Sequence, residues 1–565
     1  MPKTEVTAGA ALMTRLKAVG VDYIFANSGT DFPPIIEGLA EATAKGMPLP
    51  RALTIPHEHA AMGMAHGYYL LSRRAQAVMA HTDVGLANCA IGALNAHSEN
   101  IPILLFSGRT PTVEKGRFGA RTVPIGWGQE MRDQSALVRE TCKWDYELRF
   151  PEQVPDLVDR AMAIASSTPP GPVYVSLPRE VLCEPCPADG LEDPPRQRAH
   201  GAFASAQQMA ELAALIAKAK APILYAQHGA GNAAGFAALG RIAHDWAVPV
   251  CQYWANQLAL ATDHPMATQA DANDLLAAAD LVICLDVLAP WMPDVQEPAP
   301  AATVVQIGPN PLSSRTPIRN FRADLAISAD TGPALVMLEQ ALAAHSPGAD
   351  VAARRDRLTQ ANAKARAQAL AEGEPDTAEG MTKFQIARAL SAALGDEHAT
   401  ILSELGCPMA QMNLRHHQAW YQEPHAGGLG WSLPAALGMQ LAEPDRLIIT
   451  TMGDGTYMFA NPVVCHQIAE ALDLSVLILV LNNAEWGAVR KSVVGLYPDG
   501  YAAKANQVPL TGLAPCPDFA KVAEASRALA FRAGNHAEFA EALTKALDHI
   551  RARKGPALID VRTRP

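Results

Sequence analysis

MGDGTYMF at 452–459 and VLNNAEWG at 480–487 decide the fold, because each follows a run that reads as a buried strand: RLIITT before the first, LSVLILVL before the second. Short apolar runs that end in turn residues read as buried strands of a parallel sheet. Asp454 and Asn483 then emerge at carboxyl ends of parallel strands, the edge where open α/β sheets bind ligands. The pair suits a metal-diphosphate complex. Asp454 offers a hard carboxylate oxygen, Asn483 an amide oxygen, and the backbone carbonyl of Glu485 a third, and Mg²⁺ combines such a small protein set with phosphates and water. Gly453 and Gly455 let the backbone turn sharply and approach a phosphate. A GDG triplet alone is an ordinary glycine turn; the Asn pair beyond the next strand is what separates the two readings.

Composition narrows the class. At 565 residues the chain exceeds one ordinary core, and three domains of roughly 180 residues are expected. A hydrophobic share of 49% with 18% charged residues is that of a globular protein, and a net charge of −11 argues against a nucleic-acid partner. The longest apolar runs, such as SVLILVL, span strands rather than a bilayer, so no membrane is expected. MPKTEVTAGAALM lacks the cationic start and apolar stretch of a secretory signal, and nine scattered cysteines favour free thiols in a reducing compartment. The expected location is cytoplasmic. Cys183 and Cys186 form a CxxC without a second ligand pair, in a segment that reads as a linker.

The expected fold class is α/β, three doubly wound parallel-sheet domains: 1–185, 200–345 and 381–565, with 346–380 a polar helical connector. In the central domain a helix is expected around 206–219, a strand at PILYAQ, a helix from about 232 to 247, and strands at ADLVICLD and ATVVQIG. HGAGNAAG places Gly229, Gly231 and Gly235 between strand and helix, which imitates a dinucleotide fingerprint with its last interval one residue too long. A nucleotide-dependent oxidoreductase is therefore one alternative.

GDG followed roughly thirty residues later by NN resembles the diphosphate motif of thiamine diphosphate enzymes, and HAGGLGWSLPAALGMQLAEPDRLIITTMGDG is similar to its approach in the acetolactate synthase and benzoylformate decarboxylase type. FANSGTDFPPIIEGL, TIPHEHAAMGMAHGYYL and MAHTDVGLANCAIGALNAHSENIPILLFSG resemble the pyrimidine-binding domain of the same enzymes, and TPPGPVYVSLPREV its closing strand. The resemblance spans nearly the whole chain. It implies pyrimidine-binding, central and diphosphate-binding domains, with thiamine diphosphate and Mg²⁺ as cofactors. Gly453, Asp454, Gly455, Thr456 and Asn483 would lie along the diphosphate, with Asp454, Asn483 and Glu485 on the metal. Glu58 matches the carboxyl group that protonates the pyrimidine ring, Leu429 the apolar wedge that bends the cofactor, and Gly427 the carbonyl that accepts from its amino group.

On the substrate side His81 matches a catalytic histidine and Thr30 a substrate-contacting serine, while His57, His59, His66 and His97 are read as structural. No second active-site histidine is evident in VLAPWMPDVQ, and LDVLAPWMPD stands where a flavin-binding stretch would be sought. VPIGWGQEMRDQSALV resembles a glutamine-containing segment of acetolactate synthases, so Gln129 either faces the reacting centre or sits on a polar surface loop. Arg490 and Lys491 follow the Asn pair on an expected helix, as solvated charges or as partners for an anionic substrate group. The implied reaction is decarboxylation of a small-molecule 2-oxo acid; the alternatives are acetolactate-synthase-like carboligation and cleavage of a 2-hydroxyacyl substrate. The implied assembly is a homo-oligomer, a dimer of dimers in which Glu58 and Asp454 of one site come from different copies.

Overall fold

The computed structural model describes residues 5–268 and 272–564. It contains three six-stranded sheets, parallel throughout, plus a two-stranded ribbon. In the first sheet the order is Arg51–Thr54, Tyr23–Ala26, Gln76–Ala80, Ile103–Arg109, Val173–Pro178, Asp145–Glu147. The third runs Trp420–Gln422, Ala399–Glu404, Leu447–Gly453, Val476–Asn482, Ala557–Arg562, Leu529–Ala533. Numbered by their own strands, both have the order 2-1-3-4-6-5, whereas the central sheet has 3-2-1-4-5-6. Each order reverses beside its first strand, and that reversal opens a crevice at the carboxyl ends; the first and third sheets turn back again at the far edge, where strand 6 lies between 4 and 5.

The two strands that opened the reading are neighbours in register, Ile448 opposite Val476 through Gly453 opposite Leu481. Both are buried on each face, which is why they read as continuous apolar runs. In the central sheet the expected elements form at Ala206–Lys218, Pro222–Ala226, Ala233–Asp245, Leu281–Leu285 and Thr303–Gly308. The polar tract forms the helix Ala349–Glu372.

Contacts group the described residues into two units: residues up to 200 with 424–445 and 459–474, and 201–423 with 446–458 and 475–565. In the first unit, the helix Glu58–Ser72 packs along the helix Ser432–Ala442. A Cβ on Gly67 would lie 1.9 Å from the Ala435 carbonyl and one on Gly438 2.0 Å from that of Met64, so the small residues after Glu58 are notches for a neighbouring backbone. In the second unit the central and third sheets each carry their own apolar core.

The segment around the CxxC is more than a linker. Pro185–Pro187 pairs antiparallel with Glu5–Thr7, and all nine cysteines are free. Buried Arg15 ties down the stretch beyond it, donating to the Leu191 carbonyl at 3.0 Å and the Asp193 carbonyl at 2.6 Å while forking onto both oxygens of buried Asp159 at 2.7 Å. Asp159→Ala would strand that guanidinium in the core; we expect a loss of about 3–5 kcal/mol, read as an earlier urea midpoint for the first unit's transition.

Candidate active site

In the second unit, the strand Leu447–Gly453 ends where the helix Asp454–Phe459 begins, at the carboxyl edge of the third sheet. Asp454 Oδ1 accepts the Gly455 N–H at 2.7 Å. Its Oδ2 is buried and has no hydrogen-bond partner among the described residues. Burial raises its pKa; the backbone N–H groups of Gly455, Ala484, Glu485 and Asn483 face the carboxylate and lower it, without cancelling that shift. A buried carboxylate with one idle oxygen at a sheet crevice suits a hard cation.

The Asn pair closes the neighbouring strand. Asn482 donates to Asp560 at 3.0 Å, and Asn483 Oδ1 accepts the Glu485 N–H at 3.1 Å, folding the turn through Ala484 at φ +55°. An amide oxygen has two lone pairs, so this bond leaves Asn483 one for a metal. A Cβ on Gly455 would lie 2.4 Å from the Trp486 ring: the second glycine of GDG is required by the indole that follows NN, which brings the two motifs together. Gly453 meets only Thr456 Oγ1, at 3.9 Å, and Thr456 is buried. The Glu485 side chain accepts from Thr511 at 2.7 Å and Arg490 at 3.2 Å, so Arg490 is already paired.

The first unit holds the other group of residues. Glu58 opens its helix and is buried; Asn27 donates to Oε1 at 2.9 Å and Asn88 to Oε2 at 3.0 Å. Near that helix start lies the GGLG turn. The Gly430 carbonyl is 3.2 Å from His59 Nε2, and Gly428 exchanges bonds with Asn95 at 2.9 and 3.1 Å. Gly427 takes φ +68° and Leu429 is half-buried. His59 and His66 have lowered pKa values, chiefly through burial, and His66 sits edge-on to Trp431 at 5.4 Å; both are structural.

His81 stands at the reversal point of the first sheet, just after the strand Gln76–Ala80. Its Nδ1 pairs with Asp31, and its Nε2 lies 2.9 Å from the Gln129 amide nitrogen. The hydrogen bond to Asp31 holds its pKa above the ordinary imidazole value, against partial burial, with Asp83 and Glu58 adding in the same direction. Gln129 therefore faces His81 and is not a surface group. Exposed Thr30 lines a small cavity with Asp31, Gln129, Arg121, Arg179 and the apolar side chains of Val123 and Ile125. The sequence alone did not mark Asp31, Asn27 or Asn88: Asn27 directly follows the strand Tyr23–Ala26, the one signal available, while only folding brings Asp31 to His81 and Asn88 to Glu58.

In the central domain the glycines have a packing cause. A Cβ on Gly231 would lie 2.4 Å from the Gly332 nitrogen and one on Gly235 2.2 Å from the Ala230 carbonyl, against the start of the helix Thr331–Leu342. Asn232 caps the helix Ala233–Asp245 by accepting the Gly235 N–H at 2.8 Å. The turn that imitates a nucleotide fingerprint is filled by its own chain.

Residues 6–137 match the N-terminal binding domain of thiamine pyrophosphate enzymes, 209–338 their central domain and 405–561 their C-terminal binding domain. The chain belongs to the thiamine pyrophosphate (thiamine diphosphate) enzyme family. It is 28% identical over 507 residues to a probable 2-ketoarginine decarboxylase, AruI, of Pseudomonas aeruginosa, covering 88% of this chain and 85% of that one. It is 25% identical to the mitochondrial acetolactate synthase catalytic subunit of Saccharomyces cerevisiae, covering 98% and 80%. The solved thiamine diphosphate-dependent 4-hydroxybenzoylformate decarboxylase of Rhodococcus jostii RHA1 has the same fold, with TM-score 0.79 at 23% identity over 99% of both chains. The protein is thus a thiamine diphosphate-dependent enzyme. Among the described residues no helix is long and apolar enough to cross a membrane.

Proposed function

We propose that this enzyme is a non-oxidative, Mg²⁺-dependent 2-oxo acid decarboxylase similar to benzoylformate decarboxylase. The observation that carries this reading is His81, an imidazole beside a carboxylate at the first sheet's crevice and so a proton donor for product release. Thiamine diphosphate, when bound, supplies a nucleophilic ring carbon and an electron sink that lets CO₂ leave. Asp454, Asn483 and the Glu485 carbonyl would hold Mg²⁺, and Gly453, Gly455 and Thr456 would hold the diphosphate. The idle Asp454 Oδ2 supports that assignment. Glu58, its carboxyl group oriented by Asn27 and Asn88, would supply the acid for the pyrimidine ring. Leu429 is the wedge, Gly427 offers its carbonyl, and Thr30 meets the substrate. The working form is a homo-oligomer, a dimer of dimers.

The Gln129 contact on Nε2 favours a second reading, acetolactate-synthase-like carboligation, in which the proton is withheld and a second carbonyl is captured. A reconstituted enzyme should release CO₂ from at least one member of a panel of aliphatic, basic and aromatic 2-oxo acids. Cleavage of 2-hydroxyacyl-CoA thioesters without CO₂ from any 2-oxo acid would overturn the proposal in favour of a lyase.

A further inference from the structure

We propose that Asp31 is the positioning residue for His81: its carboxylate anchors Nδ1, so the proton used in the reaction is carried on Nε2, which Gln129 holds until substrate takes its place. The inference deepens the proton-donor role above and rests on that reading. Its basis is a three-membered chain of side chains, with both ring nitrogens of His81 engaged at once. A histidine held on both sides cannot meet a substrate, so one partner must be fixed and the other must yield.

The geometry distinguishes them. Asp31 is buried, and its second oxygen accepts the Thr82 N–H at 3.3 Å. Two glycines are hollowed out around the pair: a Cβ on Gly29 would lie 2.1 Å from His81 Nδ1, and one on Gly108 1.5 Å from Asp31 Oδ2. No other residue type fits either position while Asp31 and His81 meet. Gln129 is buried as well, and what sets it apart is its element: an irregular loop after the one-turn helix Ile125–Gly128, in which Val123, Ile125 and Trp127 are exposed. The loop is moored one residue further on, where Glu130 accepts from Arg109 at 2.7 Å and Thr110 at 2.8 Å and pairs with Arg121. The mooring keeps Gln129 in reach of His81 through backbone held one residue away, whereas its own side chain has the His81 contact and no glycine-cleared socket like that of Asp31.

An amide also matches either charge state. It donates to Nε2 of the neutral ring and, turned over, accepts from Nε2–H of the charged one. In the transfer the Nε2–H bond breaks, a C–H bond forms on the product carbon, and neutral His81 regains its proton from solvent. The charged groups facing the ring are Asp31 from the first strand's loop, Asp83 from its own helix and Glu58 from the neighbouring one. Arg121 and Arg179 line the cavity shared by Asp31 and Gln129. Because the folded ring has a raised pKa, the pair stabilises the fold below the ordinary imidazole range and loses that contribution as pH rises through the folded value.

The test titrates His81 in the holoenzyme by carbethoxylation with diethyl pyrocarbonate, read by peptide mass spectrometry, beside the pH profile of kcat. In the unsubstituted enzyme the modification midpoint should lie above about 6.5. Asp31→Asn, close in shape, should lower that midpoint and the alkaline limb of kcat by about one pH unit or more. Gln129→Ala should hasten modification severalfold and leave the midpoint in place. A midpoint at or below the ordinary value in the unsubstituted enzyme, or one that Asp31→Asn leaves unmoved, overturns the inference. A midpoint that moves while the kcat limb stays supports the Asp31 pairing and overturns His81 as the proton donor.

Discussion

Asp454→Ala is expected to weaken Mg²⁺-dependent binding of thiamine diphosphate at least about a hundredfold, because even residues behind a metal ligand cost 10–100-fold when removed. The position explains the size of the effect. Asp454 is buried at the reversal point of the third sheet, with Oδ1 on the Gly455 N–H and Oδ2 without a partner among the described residues. An apolar methyl group there removes the hard charge but leaves the Gly455–Trp486 packing intact, so the variant should fold. Isothermal titration of cofactor with and without Mg²⁺ checks it. Unchanged affinity would remove Asp454 from the metal site.

Glu58→Gln is expected to lower kcat by about 10²–10⁴-fold, the usual worth of a positioned acid or base, with cofactor affinity much less affected. Asn27 and Asn88 each aim an amide N–H at one carboxylate oxygen. In the glutamine variant one of those positions becomes an NH₂ group, so donor faces donor unless an asparagine turns over, and the side chain also loses the acid it would present to the cofactor. Single-turnover kinetics with saturating cofactor separate this from a binding defect. Full turnover by the variant would contradict the role assigned to Glu58.

The parallel-sheet fold was legible because its strands are buried on both faces and read as short apolar or β-branched runs, unbroken at Val476–Leu481 and with Thr450 and Thr451 inside Ile448–Met452. The central domain followed from the same periodicity. Other features depended on contacts between residues far apart in sequence. Gly455 was read as clearance for a phosphate, and the residue it clears is Trp486. The glycines of HGAGNAAG imitated a nucleotide turn, while Gly231 and Gly235 make room for a helix about a hundred residues later and Gly229 takes φ +75° against Gln257. The segment after Leu182 looked like a linker since nothing in its composition reveals the strand Pro185–Pro187 or the carbonyls that Arg15 collects. Asp31 escaped notice beside Thr30 for a similar reason: only folding brings the first and third strands of that sheet together and sets its carboxylate on His81.

If Gln129 gives way at Nε2 the product is protonated, and if it stays a second carbonyl is captured, so the ratio of free aldehyde to CO₂ tests the central claim most directly. With enzyme, thiamine diphosphate, Mg²⁺ and the 2-oxo acid that releases CO₂ fastest, proton NMR of the products should show one free aldehyde for each CO₂. A hydroxyketone accumulating in place of the aldehyde would contradict the decarboxylase and establish the enzyme as a carboligase.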